Sequence, residues 1–183
     1  KEFFKSLFNE CSNLMQTIMN LSQPVIAEVC GIAAAAGCQL VASCDLAVAS
    51  EQASFMTPGV NIGLFCSTPM VAVSRNMSRK KTMEMLLTGE KISAIEAVDF
   101  GLINHCVSFE KLENKTMDLA NLIVSKPLST IKIGKEAFYK QAEMPISEAY
   151  NFTSEVMAMN MLEIDAHEGI SAFLDKRQPT WKE

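Results

Sequence analysis

Gln23-Pro24-Val25-Ile26-Ala27-Glu28-Val29-Cys30-Gly31-Ile32-Ala33-Ala34-Ala35-Ala36-Gly37-Cys38-Gln39-Leu40 is the stretch on which the fold turns. Val25–Cys30 is short and rich in β-branched residues, which predicts a strand, and Gly31 stops it. The small residues 31–37 then lead into a helix expected over Cys38–Ser43. Strand, small-residue turn and helix in that order present free backbone N–H groups, because the first turn of a helix has unsatisfied donors and a partial positive charge. Side chains as small as those at Ala36 and Gly37 let a carbonyl oxygen come close to that backbone. One donor aimed at a developing oxyanion is worth ~3–4 kcal/mol in a transition state. The same alanines also serve as ordinary helix formers packed on a sheet, and the pattern alone leaves both readings open.

Outward from this stretch, Phe4, Leu7, Phe8, Cys11, Leu14, Met15 and Ile18 recur at helical spacing, so residues 2–20 read as an amphipathic helix. Asp45–Ala49 and Ala53–Met56 read as short strands. Pro69–Asn76 and Lys80–Leu87 carry helical apolar patterns. Ser93-Ala94-Ile95-Glu96 is a capping box that opens another helix, which Gly101 closes. Ile103–Val107 reads as a strand. Helices are expected over Glu110–Val124, Leu128–Lys140 and Ser147–Glu163, with Pro127 in the first turn of the second. Asp165-Ala166-His167-Glu168 caps a last helix that ends near Lys176. Strands crowd the first third and helices the rest. The result is a helix-rich α/β or α+β domain without repeats or linkers.

Composition narrows the function. Hydrophobic residues make up 49% and charged residues 20% of the 183, ordinary values for a globular domain. The net charge is −5 and no basic block stands out, which argues against nucleic acid as a partner. A small anionic ligand stays open, since one or two placed cations and a helix N-terminus suffice for it. Cys11, Cys30, Cys38, Cys44, Cys66 and Cys106 contain no CxxC pair and only two histidines accompany them, so they read as reduced, mostly buried thiols rather than a metal site. Twelve methionines fit the same soft core. No apolar run approaches the ~20 residues that cross a bilayer. Lys1–Asn20 has no apolar core or cleavage site of a secretory signal, and reads as an internal helix.

The quoted stretch resembles the signature of the crotonase (enoyl-CoA hydratase/isomerase) family, whose usual form is KPVIAAVNGxAxGGGxEL. Cys44-Asp45-Leu46 resembles that family's step into the next strand. Thr88-Gly89-Glu90-Lys91-Ile92-Ser93-Ala94, with Glu96-Ala97 and Gly101-Leu102-Ile103, resembles its TGxxISAxEAxxxGLV block. Glu168-Gly169-Ile170-Ser171-Ala172-Phe173-Leu174-Asp175-Lys176-Arg177 resembles its C-terminal EGxxAFxEKR. Four blocks in family order cover the chain from about residue 20 onward.

The resemblance implies an α/β crotonase (ClpP/crotonase) spiral of ββα turns over residues 1–107 and a helical trimerisation region over 108–183, with the first strands missing. It implies an acyl-CoA thioester as ligand with no other cofactor, a homotrimer or dimer of trimers, and a place in fatty-acid metabolism in the mitochondrial matrix. One oxyanion-binding N–H carries over onto Ala36, beside Gly37. The other falls in the family's part before Lys1 and is assigned to no residue here. Phe173 and Lys176 take the positions that approach the adenine and phosphates of CoA, a role that for Lys176 competes with a plain helix-end lysine.

At three positions the chain departs from the family. Its hydratases use two glutamates as general acid and base. The first position is Gln39, which holds a water but takes no proton at neutral pH. The second is Gly59 in Phe55-Met56-Thr57-Pro58-Gly59, and the aspartate of the family's dienoyl isomerases is Asn61. Glu28, Glu51 and Asp45 are nearby carboxylates, with Asp45 expected to order a strand start. Cys66 and Ser67 stand where the family reads PGxGG, and no histidine adjoins Cys66 to activate it. Three functions therefore stay open: acyl-CoA binding without ordinary hydration, an active hydratase, isomerase or thioesterase with an unusual base, and a structural or regulatory subunit. If the missing carboxylates alone disable hydration, Gln39→Glu with Gly59→Glu is expected to restore it.

Overall fold

The computed structural model describes residues 1–182, which divide into two compact units. The first holds Lys1–Met19 and Val25–Leu119, the second Asn20–Pro24 and the residues from Ala120 onward.

In the first unit α1 (Glu2–Asn20) precedes β1 (Ile26–Val29), β2 (Ile32–Ala34), α2 (Ala36–Ser43), β3 (Leu46–Ser50) and β4 (Ser54–Met56). A 3-10 turn, Pro58–Ile62, leads to α3 (Pro69–Asn76), α4 (Arg79–Thr88), β5 (Ile92–Ser93), α5 (Ala94–Asp99) and β6 (His105–Val107). Strands β1, β3 and β6 form one parallel sheet in the order β1-β3-β6. Strands β2, β4 and β5 form another, in which β5 runs antiparallel to β4. The first two passages of the chain each leave one strand in each sheet before a helix carries it on, the ββα unit of the spiral, while in the third α5 lies between β5 and β6.

Polar side chains fix where the ladders start. Asp45 Oδ2 accepts from the Val25 N–H at 2.7 Å while the Asp45 N–H donates to the Val25 carbonyl at 3.0 Å, so Asp45 orders the entry to β1 as expected. Asn104 does the same for β3, accepting from the Ala47 N–H at 2.8 Å and donating its own N–H to the Ala47 carbonyl at 2.9 Å. One core holds Phe55 and Val73, with no exposure, and a set of alanines that includes Ala47, Ala49, Ala94 and Ala97. Alanines at those places let helices approach the sheets closely, and Asn76 Nδ2 ties α3 to α2 through the Ala42 carbonyl at 2.8 Å. The capping box forms as predicted: the Ser93 N–H donates to Glu96 Oε2 at 2.8 Å, and the Glu96 N–H to Ser93 Oγ at 3.3 Å.

Several expectations change. The small-residue run is not only a turn, because Ile32–Ala34 is strand β2, paired with Ser54–Met56, and α2 starts two residues early at Ala36. Ladder pairing to β4 supplies what alanine's weak strand preference does not. Pro127 is the cap of α7 rather than a residue of its first turn, since its ψ of 127° is extended. Of the six thiols only Cys38 and Cys66 are buried, and Cys30 is exposed.

After a 3-10 turn at Phe109–Lys111, α6 (Leu112–Val124) runs from the first unit into the second. There α7 (Leu128–Gln141), α8 (Ile146–Asn160) and α9 (Ile164–Leu174) follow. Asp165 does not cap α9; Glu163 holds the N-cap position and Asp165 lies inside the first turn. Buried there, Asp165 accepts from Ser129 Oγ at 3.1 Å and from the Lys182 N–H at 3.0 Å, joining α7 and the C-terminal tail to α9. Arg177 grips Glu168 with two nitrogens at 2.6 and 2.9 Å, Glu168 also accepts from the Thr180 N–H at 2.8 Å, and Trp181 Nε1 donates to the Ser125 carbonyl at 2.9 Å. These bonds clip the tail onto its helix.

Candidate functional site

The turn between β2 and α2 is held by Ala35, which adopts φ 49° and ψ −112°, a conformation that glycine visits freely and L-residues rarely do. The Ala35 N–H donates to the Met56 carbonyl at 2.9 Å and its carbonyl accepts from the Gln39 N–H at 3.0 Å, so pairing on both sides enforces the strain. The peptide that follows is turned out of the ladder. Among the described residues neither the Ala36 nor the Gly37 N–H has a backbone acceptor outside its helix, and the first helical turn offers none inside it. Ala36 is exposed, and a Cβ built on Gly37 would meet nothing within 4 Å. The result is an open ledge carrying two outward donors and the positive end of the α2 dipole. Ile32 and Leu40, 69% and 40% exposed, flank it in sequence with apolar surface.

Gln39 sits three residues into α2 from Ala36, on the same helical face, and helix side chains lean toward the N-terminus. Its side chain is only 4% exposed, and among the described residues Oε1 is buried with no hydrogen-bond partner. A buried acceptor left unpaired costs ~1–3 kcal/mol.

Gly59 is buried in the 3-10 turn beyond β4, and the loop that follows folds back on it. The Leu64 N–H donates to the Gly59 carbonyl at 2.9 Å. A Cβ at residue 59 would lie 2.5 Å from the Leu64 carbonyl oxygen and 2.9 Å from Cys66 Sγ. Sequence reasoning treated position 59 as a missing carboxylate; the structure adds that backbone fills the place a side chain would need. Replacing Gly59 by glutamate therefore requires the backbone at Leu64 to shift before a carboxylate pair with residue 39 can form. Asn61 is exposed on the same turn, its amide against Gly89, where φ is 67° and a Cβ would come within 2.9 Å of Nδ2.

Glu28 is an exposed strand residue. Burial pushes the Cys38 thiol up to about 12, only partly offset by hydrogen bonding from the Met56 backbone. No base hydrogen-bonds the buried Cys66 thiol among the described residues, which leaves it without the activation a nucleophile requires.

Phe173 and Lys176 belong to the second unit and stand at the end of α9. Phe173 is 83% exposed, and Lys176 turns the chain with φ 54° immediately before the Arg177 grip on Glu168. The tail clip thus fixes the turn that displays both side chains. The strain at Ala35, the Leu64 carbonyl and the orphaned Gln39 oxygen were not read from the sequence. The one signal for the first was alanine standing where the resembled signature has glycine.

A ββα spiral with an exposed N–H ledge opening its second helix defines a protein of the crotonase fold. The chain belongs to the enoyl-CoA hydratase/isomerase family, which it matches over residues 2–183. It is 50% identical over 181 residues to human mitochondrial enoyl-CoA hydratase domain-containing protein 3, covering 99% of this chain and 60% of that protein. The Xenopus laevis protein of the same name is 49% identical over 181 residues, covering 99% and 62%. Among solved structures, an enoyl-CoA hydratase of Mycobacterium smegmatis superposes with a TM-score of 0.98 at 49% identity, over 99% of this chain and 70% of that one. The human domain-containing protein 3 gives 0.95 at 50% identity, over 98% and 71%. The chain therefore spans about 60% of the length of the curated relatives it matches.

Proposed function

We propose that the protein binds acyl-CoA thioesters of fatty-acid metabolism at the Ala36–Gly37 ledge and does not carry out ordinary enoyl-CoA hydration. The observation that supports it is the pairing of an intact donor ledge with a blocked acid/base position. The Ala36 N–H is free to take a thioester carbonyl oxygen, while the Leu64 carbonyl excludes any side chain at residue 59 and Gln39 cannot ionise. Polarisation of the carbonyl remains available to such a site; two-carboxylate water addition does not. On this reading Phe173 and Lys176 approach the adenine and phosphates of a CoA, often one held by a neighbouring subunit, the anionic charge suiting a displayed lysine. The mitochondrial names of the relatives support a mitochondrial location, and on this reading the assembly is a homotrimer or a dimer of trimers.

Calorimetry with butyryl-CoA and a hydration assay with crotonyl-CoA, both on the protein in its complete natural form, test the reading together. Binding without turnover is expected. Absence of binding at millimolar ligand overturns it, and robust hydration overturns the second half by revealing another base.

A further inference from the structure

We propose that the outward face of α4 docks on an anionic phospholipid bilayer and lies along its surface. The proposal is independent of the acyl-CoA ledge and begins from charge. Residues 52–83 hold Arg75, Arg79, Lys80 and Lys81 and no Asp or Glu, in a chain whose net charge is −5. As a basic run Arg79-Lys80-Lys81 is short; the absence of acids around it is what sets it apart. The cations fall on α3 and the first turn of α4, two helices of the first unit that pack against one another. Three of them stand at the N-terminal end of α4, where the helix dipole is positive and cations are disfavoured. That repulsion is relieved against an anionic surface. Lys81 is engaged within the protein, on Glu84 at 3.1 Å and over the Phe100 ring at 4.7 Å. Arg79 and Lys80 are exposed, and among the described residues no carboxylate pairs with either.

Apolar side chains share that face. Arg79, Met83 and Leu87 follow one another at four-residue spacing, which makes a single stripe along the helix. Met83 is 45% and Leu87 61% exposed, although Met85 and Leu86, both buried, already supply the side of α4 that faces the core. A helix held only by its own domain needs apolar residues on one side, and α4 has them on both. On α3 the exposed Met70, Val71 and Arg75 repeat the combination. Cations at one end and long aliphatic side chains along the outer stripe suit a bilayer surface. Arg79 and Lys80 meet lipid phosphates while Met83 and Leu87 enter the headgroup boundary. The rest of the chain is acidic and is repelled by the same surface, which fixes the face turned toward it. Helix α4 has 10 residues against the ~20 that cross a bilayer, so it lies flat.

The test is cosedimentation of the protein in its complete natural form with vesicles of phosphatidylcholine, alone or mixed equally with phosphatidylglycerol. Binding is expected to the mixed vesicles only, and to weaken as salt is added. Arg79→Gln with Lys80→Gln is expected to weaken it roughly thirtyfold, at about 1 kcal/mol for each cation near an anionic surface. Met83→Gln with Leu87→Gln, which leaves the charge unchanged, is expected to weaken it about tenfold. All four side chains are exposed, and removing cations from a helix N-terminus does not weaken the helix, so the charge variant keeps its fold. No binding to the mixed vesicles at low salt, or equal binding to both kinds, overturns the proposal. So does binding that neither variant weakens. Weakening in one variant alone overturns the bilayer as occupant: charge alone marks a face for an acidic protein or another polyanion, and apolar contact alone a face for an uncharged partner.

Discussion

Ala35 and Gly59 show opposite uses of a methyl group. At Ala35 a Cβ is present where the backbone, at φ 49°, would do better without one. Left-handed conformations cost an L-residue ~1–2 kcal/mol, partly offset by the greater unfolded-state freedom of glycine. Ala35→Gly is therefore expected to raise stability by about 1 kcal/mol in urea unfolding, and no change would mean that the strain is relaxed in solution. At Gly59 a Cβ is absent where none fits. Gly59→Ala forces the Leu64 carbonyl away from a 2.5 Å approach and is expected to lower stability by ~1–3 kcal/mol. Gln39→Glu with Gly59→Glu is expected to show no hydration of crotonyl-CoA, and measurable turnover would show that the 64–66 loop moves aside. The identities at 39, 59 and 61 were legible because they interrupt a recognisable signature. The Leu64 carbonyl was not, since no side chain announces where a loop's backbone will lie.

Most elements were readable from periodicity, and the exception has a physical cause. Helix α1 declares itself through its apolar spacing, and α5 through Ser93 and Glu96, whose box forms as written. Strand β2 does not, because Ile32-Ala33-Ala34 has no alternation and gains its conformation from pairing with β4, twenty or more residues onward. The tail after α9 is likewise set by tertiary partners. Glu168 is the hinge of that clip, and its carboxyl is lowered from 4.5 to about 2 by hydrogen bonds from Arg177 first and the Thr180 N–H second. A depressed carboxyl contributes stability that is present above its unfolded value and lost as pH falls through its folded one. The clip is thus expected to hold at pH 5–7 and to release between about 4.5 and 2. Trp181 is the chain's one tryptophan and is bound to Ser125, so its fluorescence reports the release directly. Glu168→Gln is expected to give the low-pH spectrum already at pH 7; an unchanged spectrum would show that the tail is held by other contacts.

At the scale of the molecule, the second unit displays much apolar surface on its helices. Phe138, Ile146, Tyr150, Met157 and Leu162 are each more than 60% exposed. Monomeric proteins seldom leave so many large apolar side chains in water. Under the proposed trimer, sedimentation is expected to give three or six times the protomer mass, and Phe138→Asp with Met157→Asp to give smaller species. A natural protein that sediments as a monomer at micromolar concentration would remove that assembly.

The backbone packed against Gly59 also bears on how this site can change over generations. A glutamate arriving at residue 59 meets a carbonyl oxygen before it meets any substrate, so the substitution is harmful until the loop has shifted. A loop that shifts first leaves Gly59 uncovered and gains nothing. Neither step is favoured alone, and under the proposed reading the order of mutations, rather than their number, stands between this lineage and a water-adding enzyme.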